Sequence, residues 1–300
     1  MALIFDIENE QSLSLDDYLE FVQKTVDPRD IESLAESAHA LRALANNRTF
    51  VLDAYHAALR RYWENDRSNE YQPQSFSLGQ STDFFVRANI WLPIDQSQRT
   101  AQFQKRLYAY DLAHDHNFNF LTVGYFGEGY ETDIYEYSDG NCVGYMDEIV
   151  DLEFLGRFKL HPGRIMLYRA GRDIHVQYPP PSVSLSLNLM GRNLELDKHQ
   201  QYIFDVSSRR LVGGAGDLVS NRLFLLEAAK YIYNDETADI LSDFLRYSSC
   251  RKTKALALQV LETSFPARWE REVGFAAKDV REMSRRQLIS GNYARSYSHA

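Results

Sequence analysis

Cysteine is scarce in this 300-residue chain: Cys142 and Cys250 are the only two. Two thiols do not make a disulfide framework, and this usage fits a reducing compartment. Positive charge is also in deficit, with 33 Lys and Arg against 42 Asp and Glu and a formal net charge of -9. That balance disfavours a general nucleic-acid or anionic-membrane binder, because phosphate contacts need a basic face. No apolar run approaches the roughly 18 residues of a membrane span. The start, Met1-Ala2-Leu3-Ile4-Phe5-Asp6, lacks the basic residues and long apolar stretch of a signal peptide. These absences together predict a cytoplasmic protein. What remains is an ordinary globular composition, 44% hydrophobic and 25% charged, in a chain long enough for a real core.

The hydrophobic pattern changes character twice along the chain. Residues 12–66 carry apolar positions at helical spacing, with Ser14 as a cap, breaks at Pro28 and Asn46-Asn47, and one helix expected from about Asp30 to Ala45. A polar stretch from Asn65 to Gln80 reads as a linker. Short β-branched and aromatic runs follow, the first at Phe84–Leu92 and another expected at Arg106–Ala113, with the last near Gln201–Asp205. Helical spacing returns from Asp217 onward, with Pro266 as a break, and the tail from Gly291 is expected to fray. The predicted organisation is a helical region over 1–74, a β domain over 75–212 and a second helical region over 213–300. This is an α+β fold in which many short strands make an antiparallel sandwich or barrel. Each helical end carries an apolar stripe that must be buried against something.

Within the β region stands Ala113-His114-Asp115-His116-Asn117. In an extended strand, alternate side chains share a face, so His114 and His116 point one way and Asp115 the other. Two imidazoles on one face can share a metal ion, and a third from a neighbouring strand would complete the set. His175 is the best candidate, since it follows an apolar strand and two glycine turns, at Gly163 and Gly171. Imidazole donors without thiolate suit zinc, copper, iron or nickel.

Those residues carry a resemblance. Gly163, Arg169-Ala170-Gly171 and His175 are similar to the second motif of the cupin superfamily, and His114-Asp115-His116 is similar to the first. Arg169 stands where the second motif usually has proline, and His175 lies one residue late. The glutamate that usually follows the first motif is replaced by Phe120 and Leu121, which leaves three histidines and resembles the thiol dioxygenases, such as cysteine dioxygenase. The resemblance covers residues 83–192. It implies an antiparallel jelly roll holding Fe(II) on His114, His116 and His175, and a dioxygenase that acts on a small carboxylate-bearing thiol with molecular oxygen. It further implies that Arg87, in Phe85-Val86-Arg87-Ala88-Asn89-Ile90, anchors the substrate carboxylate. The family's crosslinking cysteine has no counterpart after His116, and its Ser-X-His-X-Tyr series is replaced by Ser184-Leu185-Ser186-Leu187-Asn188-Leu189.

Tyr125, on the strand directly after the ligand pair, is the tyrosine expected to act in catalysis. The acids Glu128, Glu131, Asp133 and Glu136 are expected on a solvated edge rather than in the chemistry. Two other readings stay open: an iron oxygenase acting on a peptide or natural-product intermediate, and a metal-independent cupin with a binding or regulatory role. The helical ends are expected to cover the barrel, make a homodimer or bind a protein partner.

Overall fold

The computed structural model describes residues 3–63, 74–94, 97–137, 142–192, 200–215 and 218–289. Residues 65–73 of the expected linker and the tail beyond Ile289 lie outside them. The chain forms two compact units: Met1–Leu112 with Phe118–Glu136 and Glu153–Asn193, and Ala113–Asn117 with Tyr137–Leu152 and Leu194–Ala300.

The first unit is built on a six-stranded sheet. Its strands are β1 (Leu3–Asp6), β2 (Ser75–Gln80), β3 (Phe84–Trp91), β5 (Phe120–Phe126), β8 (Arg164–Tyr168) and β10 (Ser184–Gly191), with β4 (Ala113–His114) intervening in chain order. The spatial order is β1-β8-β5-β10-β3-β2, antiparallel throughout. Alternation divides each strand between two environments. Phe84, Val86 and Ala88 of β3, with Leu121 and Val123 of β5 and Leu187 and Leu189 of β10, pack beneath the N-terminal helices. The opposite face gives Trp91, Phe120, Met166, Tyr168 and Met190 to a second core, which also holds Tyr130, Ile134 and Leu160.

Four helices cover the first face: α1 (Leu15–Thr25), α2 (Ile31–Glu36), α3 (Ala38–Asn46) and α4 (Phe50–Trp63). Ser14 caps α1 by accepting a hydrogen bond from the Asp17 N–H at 3.1 Å, a contact worth about 1 kcal/mol. Tyr18, Val22, Leu34, Leu41 and Leu44 are fully buried against the sheet, each worth roughly 1.5–3 kcal/mol if its aliphatic bulk is wholly removed from water. The single helix expected over Asp30–Ala45 is two, because the chain turns at Ser37, whose hydroxyl donates to the Leu34 carbonyl.

The second sheet adds β6 (Tyr130–Tyr137), β7 (Leu152–Leu160), β9 (Asp173–Gln177), β11 (Tyr202–Asp205) and β12 (Arg210–Gly214), in the order β12-β11-β4-β9-β6-β7. The strand expected at Arg106–Ala113 does not form: Arg106–Tyr108 end a helix, α5 (Gln98–Tyr108), a turn follows, and of this segment Ala113 alone lies in a strand, β4. Phe103 and Leu107 stand at helical spacing among Gln, Lys and Arg, all good helix formers. The helix ends where Ala109 adopts a left-handed backbone, φ 53°.

In the second unit five helices pack on one another: α6 (Leu218–Ala228), α7 (Asp235–Tyr247), α8 (Arg251–Ser264), α9 (Pro266–Glu272) and α10 (Lys278–Met283). Val219, Leu223, Leu241, Leu245, Leu256, Val260, Leu261 and Met283 share their core. Pro266 ends α8 as expected but also begins α9, at the first helical position, where its missing N–H costs nothing. No described helix is long and apolar enough to cross a membrane.

Candidate metal centre

β4 is only two residues long, and its alignment is fixed from outside. Ala113 and His114 pair antiparallel with Phe204 and Ile203 of β11. Asp115, fully buried, extends this join: its N–H donates to the Tyr202 carbonyl at 3.2 Å, and its carboxylate accepts from the Tyr202 N–H at 2.6 Å and from the Tyr137 hydroxyl at 2.6 Å. The acid between the two histidines therefore holds the strand in place. Its neighbours His114 and His116 are half-buried and lie edge to face, with ring centroids 5.1 Å apart.

His175 arrives on β9, buried at 2% exposure. Its ring meets those of Tyr168 and Phe120 edge-on, at centroid distances of 4.9 and 6.1 Å. Gly163 and Gly171, which bracket β8, both have left-handed φ angles, +89° and +61°; these are turns that side-chain-bearing residues rarely make. The ligand atoms of His114, His116 and His175 all lie within 4.8 Å of one another, and the group could hold one metal ion. The donors fit such an ion. Gln201 places its side-chain oxygen 3.0 Å from Nδ1 of His116, so that nitrogen carries the proton and Nε2 keeps the lone pair a metal needs. Nothing in the sequence marked Gln201, whose partner is 85 residues away.

Arg87 projects from β3 on the face of Phe85 and Trp91, away from the helices. Its strand partner on β10 is Asn188, which in turn pairs with Thr122 on β5. A buried polar row runs through these positions. Trp91 Nε1 donates to the Ser186 hydroxyl at 3.0 Å, and the Asn188 oxygen accepts from Thr122 at 2.6 Å and from Ser186 at 3.4 Å. Burial holds the Tyr130 hydroxyl well above the usual phenol pKa, against the opposing effects of a hydrogen bond to Gln177 and the positive charge of Arg87.

Tyr125 is not brought to this group. Odd-numbered positions of β5 face the helices, and its hydroxyl donates to the Asn47 carbonyl at 2.9 Å while Arg48 sits over its ring. Its place between Arg48 and Phe50 makes it packing for the helical layer. Strand parity from Phe120 would have shown this.

Among the acids, Asp133 is a further correction: it is buried, at 6% exposure, not solvated. Arg157 donates to both its oxygens at 2.6 and 2.8 Å, and the Tyr178 hydroxyl donates at 2.8 Å. The Arg157 hydrogen bonds hold its carboxyl below the usual range, opposed by burial and helped by Tyr178. A carboxyl depressed on folding adds stability that is full above its unfolded pKa, about 3.9, and is lost as pH falls through the folded value. Thermal midpoints of Asp133→Asn should therefore fall less steeply than those of the unmodified protein below about pH 4. Equal slopes would show that the ion pair does not govern acid stability.

No family model and no curated protein sequence matches the chain. Among solved structures it is similar to a hydroquinone 1,2-dioxygenase in complex with Cd2+ and 4-hydroxybenzonitrile, at 9% identity and TM-score 0.27 over 44% of this chain and 71% of that one. A sugar phosphate isomerase of the cupin superfamily from Silicibacter pomeroyi matches at 13% identity and TM-score 0.24, over 46% and 74%. A prolyl-4-hydroxylase from Pseudomonas putida matches at 12% identity and TM-score 0.22, over 61% and 97%.

Proposed function

We propose that this chain is a non-haem iron(II) dioxygenase of the three-histidine cupin type, its sheets forming a jelly roll, which oxidises a small carboxylate-bearing thiol or related substrate. The observation that carries the reading is the convergence of His114, His116 and His175 to within 4.8 Å, with no acid in the group. Iron(II), when bound, would supply the activation of dioxygen. The chain's own residues hold and orient. Gln201 keeps the His116 tautomer. Arg87 offers a planar fork of donors that matches a carboxylate. The row from Trp91 through Ser186 and Asn188 to Thr122 gives a small polar substrate hydrogen-bonding partners, and Phe120 and Tyr168 wall off water beside His175.

Anaerobic loading with Fe(II), metal analysis and an oxygen-consumption screen over carboxylate thiols test this reading together. The loaded protein should consume oxygen with at least one such thiol. Arg87→Ala should raise KM about 10- to 100-fold for that substrate, the equivalent of a charge-assisted hydrogen bond of roughly 1.5–3 kcal/mol. Arg87→Lys should recover only part of the loss, because charge returns without the fork. A protein that takes up no metal would favour the metal-independent reading. Oxygen use that ignores Arg87 would remove the carboxylate anchor.

A further inference from the structure

We infer that Gln201 is the residue that positions His116 for metal binding, and that Gln200 ties this positioning to the C-terminal helices. The inference rests on the three-histidine reading and assigns a role to the helical end.

Residues 200–202 form a short bridge of contacts within the second unit. Gln200 is 5% exposed, and both ends of its amide are engaged by the helical part of that unit. Its nitrogen donates to the Ser220 hydroxyl in α6 at 2.8 Å and to the Ile289 carbonyl beyond α10 at 3.1 Å. Its oxygen accepts from the Lys252 ammonium in α8 at 3.1 Å. The same ammonium lies 4.1 Å from the ring centroid of Tyr202. One residue on, the Gln201 side chain reaches His116, while its backbone carbonyl accepts from the Ala215 N–H at 3.0 Å. The backbone of Tyr202 then exchanges hydrogen bonds with Asp115. Three consecutive residues thus fix the position of the bridge, the orientation of the His116 ring and the alignment of the segment that carries His114 and His116.

A buried amide with all its hydrogen bonds made has little freedom to shift, since moving it would leave polar groups unpaired. The segment is therefore held by two helices and by the stretch beyond α10 before any metal arrives. Gln201 is presented to Nδ1 of His116 from that fixed point. Outer partners of this kind set the tautomer and direction of a ligand ring, and losing one costs about 10- to 100-fold in metal affinity.

The test uses the full chain, titrated with Co2+, whose visible absorption reports coordination independently of any turnover. Gln201→Leu should weaken Co2+ binding about 10- to 100-fold and alter the spectrum, with the thermal midpoint of the metal-free protein little changed. Gln201→Glu should bind near the unmodified level, because a carboxylate accepts the same ring N–H. Gln200→Leu should also weaken Co2+ binding while the helical circular-dichroism signal is retained. Unchanged affinity in Gln201→Leu, or equal losses in the Leu and Glu variants, would overturn the positioning role. Unchanged affinity in Gln200→Leu would overturn the link to the helices. If the unmodified chain binds no Co2+, the three-histidine reading fails and this inference falls with it.

Discussion

Replacing His114 with alanine should strip the protein of bound metal while leaving its secondary structure intact. A ligand contributes a bond to the ion itself, so its loss should exceed the about 10- to 100-fold cost of losing an outer partner. His116→Ala should behave alike, since both rings are half-buried and their removal leaves little void. His175→Ala should lose metal and also stability, because its buried ring packs against Tyr168 and Phe120. His56, exposed on α4, supplies the control: His56→Ala should retain full metal content. Elemental analysis of the four variants, with circular dichroism alongside, separates the outcomes. Full metal retention in His114→Ala would end the three-histidine reading. So would equal loss across all four.

The second large effect is expected at Asp115. Its carboxylate satisfies the buried Tyr137 hydroxyl and the Tyr202 N–H. Asp115→Ala leaves both without that acceptor, at about 1–3 kcal/mol each when water cannot replace it. The expected loss in unfolding free energy is therefore roughly 2–6 kcal/mol, large beside a typical stability of 5–15 kcal/mol. Asp115→Asn should cost less, since its oxygen can still accept from the Tyr202 N–H and its amide can donate to the Tyr137 hydroxyl. Urea unfolding of the metal-free protein measures both, because it reports packing without the metal's contribution. A loss under about 0.5 kcal/mol in Asp115→Ala, the usual range for a surface change, would mean that the acid does not hold the strand.

The histidine spacing was legible because extended backbone has period two: the strand ends at His114, but the alternation runs on, so His114 and His116 lie together while Asp115 turns to Tyr137 and Tyr202. The glycines at 163 and 171 were legible for a similar reason, since each marks a backbone turn that few other residues make. Arg87 could be placed on a strand, but its face was decided only by the alternation of Val86 and Ala88 into the helical layer. Local pattern misled at Arg106–Ala113, where aromatic residues mimic a strand while the preceding Gln98–Arg106 sequence propagates a helix. β1, β2 and β12 were not foreseen. A strand of four residues such as Leu3–Asp6 has too few positions to display a period, and its pairing with β8 is settled by tertiary contact. Gln200 and Gln201 were illegible because amide side chains occur anywhere, and their partners lie 20 to 89 residues away.

The pairing of Ala113 and His114 with Phe204 and Ile203 also sets a timetable for synthesis. The two-residue strand finds this partner about 90 residues later in the chain. At a translation rate of roughly 5–20 residues per second, it waits about 5 to 20 seconds on the ribosome before that partner is made. Closure over so long a separation is slow compared with helix formation, so the N-terminal helices can form while the histidine pair is still unaligned. The side chains of His114 and His116 would therefore take up their final positions only late in the life of the nascent chain.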